Sequence, residues 1–334
     1  MKAVKISTYG GPEVFQVVDV PKPQIAPGHV LIRVQASSVN PIDTIIRSGL
    51  APDLTPEGQV LHGDVAGMVE EVGDGVQHLH VGDAVYACAG GFRGLGGALA
   101  EYMLADANLV QRRPSSLTAA EAAALPLVSI TAWEALMNRA RIVPGQTILV
   151  HGGAGGVGHI GIQLAKSVGC QVWTTVSTEQ KRKIVLELGA DGVINYRSES
   201  VQDYVKRCTQ GQGFDVVFNT VGGPVIEDSF QAAIVGGTVT TVSCSVPDSS
   251  LLSEKALSVH MILMLLPLLS GHGRARHGAI LRELATLVDA GKVRPLVDAH
   301  QFGFSEVGKS HEYLESGAAV GKVVLMNDLC TLKE

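Results

Sequence analysis

The sequence predicts a two-domain α/β protein, a β-rich domain followed by a doubly wound parallel sheet, and three observations carry that prediction. Ile148-Leu149-Val150 is a buried-strand pattern that runs through His151-Gly152-Gly153-Ala154-Gly155-Gly156-Val157-Gly158 into a helical pattern. From Thr147 to Ser243, strand-like and helix-like segments alternate as they do in successive βαβ units. Before residue 120 the chain instead holds short alternating strands divided by turn signals. At 334 residues it is long enough for about two domains, each with its own core.

The β-rich domain is expected over residues 1–122, completed by 275–334, and the sheet domain over 123–274. Val30, Ile32, Val34 and Ala36 share one strand face, with Arg33 and Gln35 on the other. A second strand runs near Met68 to Val72 and closes at Gly73-Asp74-Gly75; another follows Val81-Gly82-Asp83. Ala89 to Gly97 is rich in glycine and is expected to be a mobile loop over a site. Thr118-Ala119-Ala120-Glu121 is a capping box that starts an alanine-rich helix at the passage into the second domain.

In the second domain, strands are expected at Thr147–Val150, Gln171–Val176, Gly192–Asn195, Asp215–Phe218 and Thr238–Ser243, with helices between them. Gly153, Gly155 and Gly158, with Ala154, Gly156 and Val157 between, fit G-x-G-x-x-G. In that pattern the first glycine allows the tight turn, the second lets backbone approach a dinucleotide pyrophosphate, and the third lets helix pack on strand. The phosphate charge then meets unsatisfied N–H groups at the helix N-terminus. A glycine-rich loop can be only a loop, so the apolar strand before it and Ile160, Ile162, Leu164 and Ala165 after it supply the needed context. The amphipathic stretch Ile280–Val288 and the strand-like Lys322–Leu325 return to the first domain.

Composition excludes several classes. A net charge of -6 with scattered basic residues gives no footprint for nucleic acid. Five dispersed cysteines without a C-x-x-C point to a reduced, cytoplasmic setting. The start lacks the apolar stretch of a signal peptide. Met261 to Leu269, the most apolar run, is far shorter than the ~20 residues of a membrane helix and is broken by Pro267, so it reads as a buried or interface segment.

The cofactor choice rests on the end of the second strand, Thr175-Val176-Ser177, which lacks the carboxylate that grips ribose in NAD sites. Ser177 and Gln180 read as a capping box, which puts Glu179 in a helical first turn where the helix dipole favours an acid without any ligand. Lys181-Arg182-Lys183 follow, and Tyr196-Arg197 close the third strand. NADPH is therefore favoured, with Ser177, Lys181 and Tyr196 at its adenosine phosphate; a solvated basic helix face is the alternative.

Ser38-Val39-Asn40-Pro41-Ile42-Asp43, Arg47-Ser48-Gly49, Asp64-Val65-Ala66-Gly67, Val81-Gly82-Asp83, His151–Gly158, Ile194-Asn195-Tyr196-Arg197 and Gly321-Lys322-Val323-Val324 lie in an order spanning nearly the whole chain. Together they resemble the medium-chain dehydrogenase/reductase superfamily, in its zinc-free, zeta-crystallin-like quinone oxidoreductase branch. The resemblance implies a GroES-like β-rich catalytic domain and a Rossmann domain. The cysteines and histidine that hold catalytic zinc in related alcohol dehydrogenases, and the four close-spaced cysteines that hold structural zinc, have no counterpart set: the catalytic positions fall in Asn40 to Asp43, beside His62 and Asp64, and near Leu127. Asp64 reads more simply as a hydrogen-bonding barrel residue.

With no metal to polarise a simple carbonyl, the implied activity is hydride transfer from NADPH to an activated acceptor, a quinone or an α,β-unsaturated carbonyl such as an enone or 2-alkenal. An enoyl-thioester reductase or a non-catalytic NADPH-binding sensor or structural protein are the alternatives. By resemblance, Asn40 and Thr131 are the catalytic candidates, Asn40 beside the nicotinamide, although Asn40 could merely cap the turn before Pro41 and Thr131 could bond its own helix. Asn219, Val221, Gly222, Ser243, Cys244 and Lys322 complete the cofactor candidates. Cys244 as a buried inert thiol and Lys322 as a solvated strand-start lysine compete. Asp43 and Arg47 are expected to form an ion pair, and His151 and His159 to pack. Ile45 stands where relatives carry an aromatic residue, which favours a small or aliphatic enone. A homodimer is expected through the run 261–269, with no nucleic acid or membrane partner.

Overall fold

The computed structural model describes residues 1–242 and 250–331, and these form two compact units. The first comprises Met1–Leu127, Leu265–Gly291 and Pro295–Glu334, and the second Val128–Met264 and Lys292–Arg294. In chain order the strands are β1 (Lys2–Ile6), β2 (Phe15–Asp19), β3 (His29–Ser38), β4 (Asp64–Val72), β5 (Ala84–Cys88), β6 (Tyr102–Asp106), β7 (Gln111–Arg112) and β8 (Thr147–His151). They continue as β9 (Gln171–Val176), β10 (Gly192–Asn195), β11 (Phe214–Asn219), β12 (Ala233–Thr241), β13 (Ser258–Met261), β14 (Val297–Gly303) and β15 (Lys322–Met326).

The first unit is built on β3, which pairs antiparallel with β4, β6 and β15. The sheet runs β14-β15-β3-β4-β5-β7, with β1 and β2 as a separate hairpin. On β3 the apolar alternation holds: Val30, Ile32, Val34 and Ala36 are buried, Arg33 is exposed and Gln35 half-buried. Gly67 lies opposite Val34, and a Cβ there would stand 2.2 Å from the Arg33 carbonyl oxygen. Only glycine lets β3 and β4 close at this point.

The glycine-rich stretch Ala89–Gly97, expected as a mobile loop, is largely a packed turn. Ala89 to Phe92 and Gly97 to Ala100 are buried, and only Arg93, Gly94 and Gly96 are exposed. A Cβ on Gly97 would meet the Leu61 carbonyl oxygen at 2.0 Å, and one on Gly90 the Gly96 oxygen at 1.9 Å. These glycines serve close backbone contact, a use of the missing Cβ that composition cannot separate from mobility. The helix Arg274–Asp289 packs on the first unit: the Tyr86 hydroxyl donates to Leu281 O at 2.5 Å, and Asp289 accepts from the backbones of Ser115 and Ser116.

The second unit is a six-stranded parallel sheet of order β10-β9-β8-β11-β12-β13. Chain order reverses between β8 and β11, the switch point beside which ligands bind in such sheets. Leu149, Ile194, Phe214, Val217, Phe230 and Val239 form its buried core. After β9 the helix Glu179–Glu187 is capped one residue later than expected: Thr178, not Ser177, accepts the Lys181 N–H. Thr178 takes the cap because its extended backbone points the hydroxyl at the helix start, leaving Ser177 at the strand tip. In the apolar run 261–269, Ile262, Met264, Leu265 and Leu268 are buried, while Met261 at the end of edge strand β13, Leu263 and Leu266 stay exposed. Among the described residues no helix is long and apolar enough to cross a membrane.

Candidate functional site

In the second unit the chain leaves β8 through a turn at Gly152–Gly155 and enters the helix Gly156–Val168. The left-handed residue of the turn is Gly152, at φ 71°, one place before the glycine to which sequence spacing gave that role. Gly153 is instead a packing glycine, since a Cβ there would stand 2.0 Å from Thr174 Oγ1. Gly158 lets the helix rest on the turn; its Cβ would meet Gly152 O at 2.2 Å. Gly155 faces open space apart from Gly152 O at 3.2 Å and supplies no side-chain cap. Gly156, Val157 and Gly158 therefore start a helix whose first N–H groups have no intrahelical acceptor, beside the half-exposed or buried Ala154 to Val157 stretch. That cradle fits an anionic phosphate.

Ser177 and Tyr196 lie side by side, because the register pairs Val176 with Asn195 and each follows its strand at once. Ser177 is half-buried and Tyr196 is 55 % exposed. Arg182 reaches Glu179 at 4.0 Å, whereas Lys181 has no acidic partner among the described residues. Asn219 ends β11, and its Oδ1 accepts the N–H groups of Val221 (3.0 Å) and Gly222 (2.9 Å), an Asx turn that shapes the exit from the strand. Its Nδ2 is buried without a partner among the described residues. Thr131 is buried in the helix Pro126–Trp133. Ser243 and Cys244 lie outside the described residues.

The first unit holds a buried polar cluster. Asp64 Oδ2 accepts from Ser38 Oγ and from Asn40 Nδ2, each at 2.8 Å, and its Oδ1 accepts the Leu127 N–H at 2.8 Å. Lys322 is buried, not solvated: its ammonium donates to Asn40 Oδ1 and to Val39 O, and stands 3.6 Å from Asp64 Oδ2. Asn40 precedes the helix Pro41–Arg47, yet its side chain is committed to Asp64 and Lys322 and makes no cap. Burial lowers the Lys322 pKa, an effect that Asp64 and Asp43 oppose.

The expected Asp43–Arg47 ion pair does not form. Asp43 Oδ2 accepts the Asn40 N–H at 2.8 Å, closing the N-terminus of its own helix, while Arg47 forks onto Glu315 at 2.8 and 3.2 Å. Asp43 Oδ1 is buried without a partner among the described residues, and burial pushes this carboxyl up to about 7. Ser38, Asn40, Asp43, Asp64 and Lys322 each stand in a family-like segment, but nothing in their spacing along the chain shows that they meet.

His62 and His311 form a buried pair, Nε2 to Nε2 at 2.8 Å. Ser37 Oγ gives its hydrogen to Asp64 O, so His62 Nδ1, 3.2 Å away, is the donor to Ser37 and His62 Nε2 accepts from His311. His62 sits at φ 70°, in the left-handed region that non-glycine residues seldom adopt.

Residues 26–115 match the alcohol dehydrogenase GroES-like domain, and residues 188–325 match a family described as zinc-binding dehydrogenase. The described residues do not fit a metal ion. Both nitrogens of His62 and both oxygens of Asp64 are already engaged, an ammonium stands beside the carboxylate, and no group of three or more His, Cys, Asp or Glu side chains is placed to hold a metal.

Three relatives cover almost the whole chain. A quinone oxidoreductase of Rattus norvegicus is 30 % identical over 98 % of this chain and 98 % of its own length. An Arabidopsis thaliana protein described as a chloroplastic NADPH-dependent alkenal/one oxidoreductase is 35 % identical over 97 % of this chain and 79 % of its own length. A solved structure of Escherichia coli quinone oxidoreductase complexed with NADPH superposes with a TM-score of 0.87 at 29 % identity, covering 98 % of this chain and 100 % of that one. With its GroES-like domain, its parallel sheet and these full-length relatives, the chain belongs to the quinone oxidoreductase-like branch of the medium-chain dehydrogenase/reductase superfamily.

Proposed function

We propose that the chain is a metal-independent reductase that uses NADPH to deliver hydride to a quinone or an α,β-unsaturated carbonyl. The observation that carries the reading is the uncapped helix start at Gly156 behind the turn Gly152–Gly155, a cradle for a pyrophosphate. Gly153 to Gly158 would line that cradle, Asn219, Val221 and Gly222 its neighbouring strand end, and Ser177, Lys181 and Tyr196 the adenosine phosphate. When bound, the nicotinamide supplies the hydride.

The chain's own work is then binding and positioning. Lys181, without an acidic partner among the described residues, offers a point charge for the phosphate that separates NADPH from NADH. In the first unit, Lys322 and Asp64 fix both ends of the Asn40 amide, and Nδ2 keeps a second hydrogen beyond the one given to Asp64. That hydrogen suits the oxygen on which negative charge develops as a conjugated acceptor takes hydride. Such acceptors spread the charge along the conjugated system, so a Lewis acid is dispensable. The relatives described as quinone and alkenal/one oxidoreductases support these acceptor classes.

Steady-state NADPH oxidation with a panel of quinones, enones and 2-alkenals tests the proposal; turnover with at least one class is expected, and none with any would overturn it. We further propose a homodimer formed at edge strand β13, where Met261 and Leu263 are exposed. Light scattering at micromolar concentration should give twice the chain mass, and a monomer alone would refute that assembly.

A further inference from the structure

At the carboxyl edge of the second unit's sheet, a row of polar residues crosses four strands. The register places Asn219 of β11 between His151 of β8 and Thr241 of β12, and Thr175 of β9 follows on the other side of His151. All four are buried, and paired residues on parallel strands project to the same face. His151 and Asn219 are the two that flank the switch point between β8 and β11.

Each of these two carries a buried nitrogen with no partner among the described residues, His151 Nε2 and Asn219 Nδ2. The orientation of both groups follows from their neighbours. Asn219 Oδ1 receives two backbone N–H groups, which only an oxygen can accept, so Nδ2 is turned away from the strand exit. Thr175 Oγ1 accepts the Gly152 N–H at 2.9 Å and lies 3.5 Å from His151 Nδ1; donation of its hydroxyl hydrogen to Nδ1 puts the ring's own proton on Nε2. Burial holds His151 neutral. Two orphaned donors on adjacent strands are costly in a protein interior unless something accepts from both. His151 leads directly into Gly152, so the pair stands at the mouth of the phosphate cradle.

We infer that His151 Nε2–H and Asn219 Nδ2–H together seat a pyrophosphate oxygen of the bound dinucleotide, which makes His151 a binding residue and not merely a packed one. This deepens the dinucleotide reading above and rests on it. The acceptor must bring oxygen without hydrogen to the strand ends, which a pyrophosphate does and a nicotinamide amide does only in part.

The test is calorimetric titration of the intact protein with NADPH and, separately, with adenosine 2′-phosphate, which lacks the pyrophosphate. His151→Phe removes one donor; Asn219→Asp keeps the oxygen for Val221 and Gly222 and removes the other. Each variant should raise the Kd for NADPH about ten- to a hundred-fold and leave that for adenosine 2′-phosphate within about twofold. The Tm of ligand-free His151→Phe should not fall, since an unmatched donor has gone. Unchanged NADPH affinity in both variants, equal loss for both ligands, or failure of both variants to fold would overturn the inference. A wild-type protein that binds neither ligand would instead overturn the proposed function.

Discussion

Lys322 and Asp64 face each other at 3.6 Å with neither side chain reaching solvent, and the amide of Asn40 is bonded to both. A buried ion pair of this kind is weak evidence for stability, because desolvation offsets much of the attraction, but it is strict about its partners. Lys322→Met leaves Asp64 uncompensated and should cost about 3–5 kcal/mol in urea unfolding. Adding Asp64→Asn to Lys322→Met should recover part of that loss. Equal and additive losses would mean that the two do not act as a pair.

Fixing the Asn40 amide has a kinetic consequence under the proposed function. Asn40→Leu should lower kcat about a hundredfold, the scale of losing one oxyanion donor, while the Kd for NADPH measured by titration changes little. A change confined to NADPH binding would move Asn40 from the acceptor to the cofactor.

Four of the five histidines buried among the described residues set a pH dependence. Burial lowers His62 to about 3 and His151 and His277 to about 4, and holds His311 well below its ordinary value. A depressed histidine is neutral when folded and takes up a proton on unfolding, so its stabilising contribution is present above 6.5 and is lost as pH falls toward the folded value. Between pH 6.5 and 5 the loss is about 1.5 kcal/mol for each of His62, His151 and His277. Asp43 runs the other way: its folded value of about 7 lies above the unfolded one, so its contribution falls as pH rises from about 4 through 7. Urea midpoints should therefore drop below pH 6.5, and Asp43→Asn should gain on wild type between pH 5 and 7.5. A difference that does not vary with pH would show that Asp43 is not held protonated by burial.

Lys181 stands without an acidic partner among the described residues in the first turn of the helix Glu179–Glu187, which follows β9. Lys181→Ala should weaken NADPH at least about tenfold and leave NADH nearly unchanged, as expected for a charge that meets only the extra phosphate. Equal effects on the two cofactors would assign Lys181 to a solvated helix face.

Legibility in the sequence followed sequence distance. β8, its glycine exit and the helix beyond could be read because strand period, glycines and helix period are contiguous. Even there the pattern assigns the turn to Gly153 where the structure has Gly152, since two adjacent glycines look alike until one shows φ 71° and the other a Thr174 contact. The cluster of the first unit could not be read, because Asn40 and Lys322 lie 282 residues apart and His62 and His311 lie 249 apart. Arg47 had a nearer acid in Asp43 and took Glu315 instead, because Asp43 was already closing its own helix. Spacing favours the local pair; tertiary packing chose the distant one.

The most direct test of the account is NADPH oxidation by a quinone and by a 2-alkenal after exhaustive dialysis against a metal chelator. The rate should match that of untreated protein and should be far lower with NADH. Loss of activity on chelation with recovery on adding zinc, or no NADPH oxidation with either acceptor, would contradict it.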